Sequence, residues 1–281
     1  FMTPLALGSQ TGGSVIRPAS FCGVHAYKPT FGSISRHGMM ILARVLDHVG
    51  IYGRDLRDLA MAGDVLMTPD AHDFDMRPWP GARLIEALAE SDAAQPRLAL
   101  VKGPPWAFAE PYMDELLGGF AAGLGAVPEV ELGGIFTGAL DAHATVMDAN
   151  AWHNLHDIRT AHGDELLDET VRRIDAGRDI SAADYIAARE LTDSLAAALD
   201  ALFGHYDALI TAAAPGEAPA DLTTTGNPVF QKIWTLIGAP TLTLPLLRGP
   251  NGMPIGVQVI GRKGADAALF KAARWIEAQA A

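Results

Sequence analysis

The sequence predicts an α/β protein built on one large mixed β-sheet with helices on its faces, and three observations carry that expectation. Strand-like RLALV (97–101), a helical pattern over 112–124 behind Pro111, and strand-like PEVEL (128–132) follow one another in the order of a βαβ unit, for which parallel pairing is expected. TLTLPLL (241–247) and PIGVQVIG (254–261) flank the loop RGPNGM, where Asn251-Gly252 favours a hairpin and so antiparallel pairing. Residues 137–203 are helical almost throughout by composition and supply a layer to cover one side of the sheet.

From the N-terminus, apolar residues 2–7 read as a strand that runs into the glycine-rich loop GSQTGGSVIRP (8–18). A helix from Ser14 to about Gly23 accommodates Pro18 within its first turn. VHAYKPTFGSISRHG reads as turns, punctuated by Pro29, Gly32 and Gly38. Residues 56–67 form a helix with Asp55 or Asp58 at its start, followed by a proline-rich polar loop over 69–81. Ser181 and Asp184 make a capping-box start for a helix running to about Phe203. DALIT (207–211) is a strand, and a last helix over 266–278 places Leu269, Ala273 and Ile276 on one face.

The chain has 281 residues, 49% of them hydrophobic, with 21 basic and 33 acidic side chains and a net charge of −12. That is a globular balance in a chain long enough to bury a large core. The negative charge gives no attraction to phosphate backbones or anionic lipid, so nucleic acid is not expected as a direct partner, nor is a membrane. The single cysteine, Cys22, forms no intrachain disulfide, which suits a cytoplasmic location; it is expected to be a small buried side chain. The opening FMTPLALG reads as a core strand beginning on Phe1, so the chain is expected to be one domain, 1–281, incomplete at its N-terminus.

The loop at 8–18 calls for a chemical reading. It lacks the Gly-Lys-Ser/Thr ending of a phosphate loop, and its glycines at 8, 12 and 13 do not fit the dinucleotide pattern. Two readings stay open on the loop alone. In one it is a tight turn capped by serine. In the other Ser14 is a nucleophile, with backbone N–H groups freed by Gly12 and Gly13 to hold an oxyanion.

The segment GSQTGGSVIRPASFCGVHAYKPTFG (8–32) resembles the core of the amidase signature family, in its Gly8–Ser14 run, Arg17-Pro18, Phe21-Cys22-Gly23 and Lys28-Pro29-Thr30. NPVFQKIWTLIGAPTLTLP and GMPIGVQVIGRKGADAALF resemble that family's C-terminal strands. The resemblance implies an amidase-type fold and hydrolysis of a small-molecule amide through a Ser–cis-Ser–Lys triad, with no cofactor. Ser14 matches the nucleophile, and Thr11, Gly12, Gly13 and Ser14 would supply the oxyanion N–H groups. The other two triad members lie upstream in the family and match no residue here; Lys28 matches a structural lysine. Two departures stand out: Gln10 replaces an aspartate, and Arg17 sits one place later than usual. Further readings are the amidase subunit of a tRNA-dependent amidotransferase and a non-catalytic fragment acting as a binding module. By itself the chain is expected to be nearly inactive and to self-associate through an unpaired sheet edge, as a homo-oligomer or aggregate.

His143, His153, His156 and His162 cluster in the helical middle, with Asp148 and Asp157 as further conceivable metal ligands. No metal is expected, since the resembling family needs none. The stretch 137–203 would instead border the substrate cleft, with Trp152 and His156 as candidate substrate contacts. DELLDE (164–169) reads as a solvated helix start.

Overall fold

The computed structural model describes residues 2–77, 79, 83–90 and 95–280. Eight strands form one sheet: β1 (Ala6–Gln10), β2 (His25–Lys28), β3 (His48–Gly53), β4 (Leu98–Lys102), β5 (Glu129–Glu131), β6 (Ala208–Ala212), β7 (Thr241–Arg248) and β8 (Pro254–Ile260). Their order is β1-β3-β2-β7-β8-β6-β4-β5. The first six are antiparallel in succession, whereas β4 pairs in parallel with both β6 and β5. The sheet is therefore mixed, with the parallel part at the βαβ unit and the antiparallel part at the Asn251-Gly252 hairpin.

The central strands are buried on both faces, which explains their unbroken apolar runs. Leu98 and Leu100 pack with Met113, Leu117, Leu269, Phe270 and Ile276. The intervening Ala99 and Val101 pack with Val146, Leu195, Leu199 and Trp234. The helices are α1 (Ile16–Cys22), α2 (Leu56–Leu66), α3 (Leu84–Ala89), α4 (Met113–Gly123), α5 (Ala139–His162), α6 (Asp168–Asp175), α7 (Ala182–Leu202), α8 (Val229–Ile237) and α9 (Asp266–Ala280). Asp55 caps α2 by accepting from Asp58 N–H, and Ser181 and Asp184 close the expected capping box on α7.

Several expectations are corrected. The first strand is displaced to residues 6–10, so Gly8 and Ser9 belong to the sheet and the loop proper is 11–15. Two strands, β2 and β3, lie where turns or nothing were read. The 137–203 stretch divides into three helices, with Asp168 and Glu169 in the first turn of α6. Residues 229–237, grouped with C-terminal strands, form α8, closed by Gly238 at φ 77°. Cys22 is exposed rather than buried. The buried residues of α1 are Ile16, Arg17, Ala19 and Ser20, and the 100° step per residue turns position 22 to the opposite side. The expected 69–81 loop is described only up to residue 77 and at Trp79. No helix among the described residues is long and apolar enough to cross a membrane.

Candidate active site

The loop at 11–15 is held from beneath by Gln10, the last residue of β1. Its side chain is fully buried. Oε1 accepts the N–H groups of Val15 at 2.9 Å and Ile16 at 3.1 Å, and Nε2 donates to Thr235 Oγ1 at 2.9 Å. Thr235 Oγ1 in turn donates to Gly12 O at 2.8 Å. A neutral amide thus does in one side chain what a lone carboxylate cannot, because it accepts from the helix start and donates to α8.

The remaining loop carbonyls are fastened one by one. Thr11 O accepts from His143 Nε2 on α5 at 2.9 Å, Gly13 O accepts from Arg17 N–H at 3.1 Å, and Ser14 O accepts from the Tyr52 hydroxyl at 2.7 Å. Thr11 Oγ1 donates to Asp47 Oδ1 at 2.5 Å. Against this, the N–H groups of Thr11, Gly12, Gly13 and Ser14 have no acceptor among the described residues, while the next three N–H groups are all taken. Four consecutive carbonyls are thus tied while the four N–H groups of the same residues stay open. Ser14 is exposed, and its hydroxyl has no partner among the described residues.

Gly13 is required where it stands: a Cβ there would lie 2.5 Å from Gln231 Oε1 and 2.8 Å from Pro228 Cβ. Gln231 is fully buried, donates from Nε2 to Ala213 O at 2.6 Å, and leaves Oε1 unpartnered beside the loop.

Burial dominates the electrostatics. It pushes the His143 imidazole pKa down to about 4, opposed by the hydrogen bond to Thr11, so the ring is neutral and donates from Nε2. It raises the Asp47 carboxyl, although the Thr11 hydroxyl and the Ala43 and Leu42 N–H groups favour its ionised form. It raises the Tyr52 phenol to about 12 and lowers Arg17. Arg17 donates to Gly226 O, so the displaced arginine ties α1 to the segment before α8. Lys28 is fully buried, with Nζ donating to Ala239 O at 2.6 Å and Pro29 O at 3.1 Å.

The predicted residues Thr11, Gly12, Gly13 and Ser14 lie in the loop between β1 and α1. Trp152 and His156 are not brought to it. Their rings lie 5.6 Å apart, and Trp152 also stacks under Arg178 at 5.1 Å. Nine residues along α5 from His143, Trp152 is half a turn out of phase with it. Among the described residues no three His, Cys, Asp or Glu side chains are grouped to hold a metal. Reading the sequence missed Thr235, Gln231, Asp47 and Tyr52, and found His143 for a different reason. The signal available was Gln231 and Thr235, two polar residues one helical turn apart in the apolar run VFQKIWTLI.

The chain thus combines a mixed sheet with a glycine-built serine loop, its carbonyls fastened, at the end of a strand. The chain belongs to the amidase family, whose model matches residues 1–270. It is 31% identical to a glutamyl-tRNA(Gln) amidotransferase subunit from Thermus thermophilus, over 97% of this chain and 64% of that one. It is 30% identical to the protein of the same name from Agathobacter rectalis, over 92% of this chain and 58% of the relative. Among solved structures it superposes with TM-score 0.89 and 26% identity on a chain of a vestigial protein complex bearing on the evolutionary origins of an s-triazine catabolic enzyme, covering 98% of this chain and 63% of that one. It also matches a glutamyl-tRNA(Gln) amidotransferase subunit from Thermotoga maritima, with TM-score 0.79, 29% identity and coverage of 98% and 62%. The chain thus spans about three-fifths of the length of these relatives.

Proposed function

We propose that the protein hydrolyses a carboxylic amide C–N bond through an acyl-enzyme on Ser14. Ser14 Oγ attacks the amide carbonyl, the open N–H groups of Thr11–Ser14 receive the developing oxyanion, amine leaves, and water releases the acid. The observation that carries this reading is the contrast between fastened carbonyls and open donors across those four residues. A preorganised donor costs nothing to reorient as charge develops, and each is worth roughly 3–4 kcal/mol of barrier. No described side chain accepts the Ser14 proton, so the proposal gives that role to the lysine and serine that the family resemblance implies. A second reading, the amidase subunit of a tRNA-dependent amidotransferase, is favoured by the names of the curated relatives and would make glutamine the substrate and other subunits the partners.

The test is Ser14→Ala in the intact protein, assayed on a panel of aliphatic, aryl and urea-type amides together with glutamine. The variant should keep its fold, because Ser14 is exposed, and lose on the order of 10³-fold or more in turnover. Retention of more than about a tenth of the rate sinks the acyl-enzyme reading. Turnover confined to glutamine, with co-purifying subunits, selects the second reading over the first.

A further inference from the structure

Where α8 ends, a cavity of about 460 Å³ opens between α7, Lys263 after β8, and Arg77 and Trp79. The chain as a whole carries a net charge of −12, yet Arg77, Arg189 and Lys263 all line this one cavity. None of the three joins an ion pair among the described residues. Two carboxylates share the lining, but Asp75 is already held by Arg36 and Arg44, each at 2.7 Å. That leaves Asp193 as one carboxylate facing three cations. Lys263 Nζ donates one proton to Ile237 O at 3.3 Å, which ties it to the end of α8 and leaves two protons for another acceptor. Partial desolvation and the charges of Arg189 and Arg77 lower its pKa, with Asp193 opposing: the positive field in the cavity is not balanced from within.

Trp79 adds an aromatic surface beside Lys263. The Trp79 indole N–H donates to Phe31 O at 3.0 Å, and its ring lies so close over Gly264 that a Cβ there would fall 2.6 Å from it. Gly264 has φ +79°, which frees the backbone for that approach. Guanidinium groups beside a flat apolar wall suit a carboxylate or phosphate carried on a planar body, since they give paired donors for the oxygens and a stacking surface for the remainder.

We propose that this cavity binds a small aromatic anion, its carboxylate or phosphate held by Arg189 and Lys263 with Arg77 at the rim, and its ring against Trp79. The site is distinct from the serine loop. That loop meets α8 at Pro228, Gln231 and Thr235, whereas the cavity takes up the last residues of the helix, Leu236–Gly238, and none of residues 10–15 lines it.

Calorimetric titration of the intact protein with phenyl phosphate, benzoate and benzyl alcohol tests this. At least one of the two anions should bind with a Kd of about 1 mM or tighter, and the neutral alcohol at least about tenfold more weakly. The double variant Arg189→Gln/Lys263→Gln should weaken the anion at least about tenfold, while Ser14→Ala leaves its affinity unchanged. Arg77→Gln, at an exposed position, is the second variant and should weaken it about threefold or more. Absence of saturable binding of both anions up to about 10 mM, equal binding of the alcohol, or affinity indifferent to both charge variants overturns the proposal. Affinity lost in Ser14→Ala would place the anion at the serine loop instead and also overturn it.

Discussion

Gln10 Nε2 lies 2.9 Å from Thr235 Oγ1, so the strand that leads into the serine loop is tied to α8 by a buried, neutral hydrogen bond. The same side chain accepts from Val15 and Ile16. Gln10→Leu keeps the volume and removes all three bonds. Two buried donors and one hydroxyl lose a partner, and each unmet group costs about 1–3 kcal/mol. Urea unfolding should show a loss of about 2–4 kcal/mol, with turnover reduced as the loop loosens. A loss below about 1 kcal/mol would mean that water replaces Gln10 without strain.

Gly12 and Gly13 should respond differently to the same added methyl. At Gly13 a Cβ would meet Gln231 Oε1 at 2.5 Å and Pro228 Cβ at 2.8 Å, whereas at Gly12 it meets nothing closer than 3.8 Å. Gly13→Ala must shift the loop and its donors, and should lower kcat by about 10²-fold. Gly12→Ala should stay within about threefold of the parent. Steady-state kinetics on both variants checks the contrast, and equal effects would contradict the placement of Pro228 and Gln231.

His143 makes stability depend on pH. Its folded pKa is about 4, below an ordinary value of about 6.5. Between those values the unfolded chain binds the proton and the folded one does not, so stability rises with pH across that window and is flat above it. Acidification from pH 7 to 4 should cost about 3 kcal/mol from this residue. His48, also held well below its ordinary value by burial, acts in the same direction. His143→Gln retains a donor for Thr11 and should shallow the slope; denaturant titrations at pH 4.5 to 7.5 would detect an unchanged slope, which would refute the assignment.

Arg36 grips Asp73 with two parallel bonds, Nε to Oδ2 at 2.9 Å and Nη2 to Oδ1 at 2.8 Å, and its side chain is 4% exposed. It also donates to Asp47 O at 3.4 Å, beneath the carboxylate that holds Thr11. Arg36→Met leaves a buried carboxylate without its cation and should destabilise by about 3–5 kcal/mol. Since Asp73 is held far below the usual carboxylate range mainly by Arg36, acidification should shrink that difference. A variant as stable as the parent at pH 7 would count against the pair.

The chain's local patterns were legible wherever one physical signal dominated. β4, α4 and β5 showed as a change from strand to helix period and back, and Asn251-Gly252 marked the hairpin. The capping box of α7 was readable from two residues. β2 and β3 were not, because burial inverted the usual cues. His25 and Lys28 are polar yet buried in β2, and Gly50 and Gly53 interrupt the apolar pattern of β3. Gly50 is there to admit Val15, whose methyl groups would lie 2.6–2.7 Å from a Cβ. Residues 229–237 were grouped with strands only through the family resemblance, and the structure makes them α8.

The site divides in the same way. The serine loop, with Ser14 after two glycines, is a local sequence pattern, so its position could be read from the chain alone, while a capped turn and a nucleophile both stayed open on the loop by itself. Its partners come from residues 47, 52, 143, 231 and 235, on four other elements or loops, and no periodicity links those positions to residue 11 or 14. Spacing along one helix or strand is a local property, and sequence expresses it. Which side chain of α8 meets which carbonyl of the loop depends on how two faces pack across the sheet, and only the tertiary structure decided that Gln10 reaches Thr235 and that His143 holds Thr11.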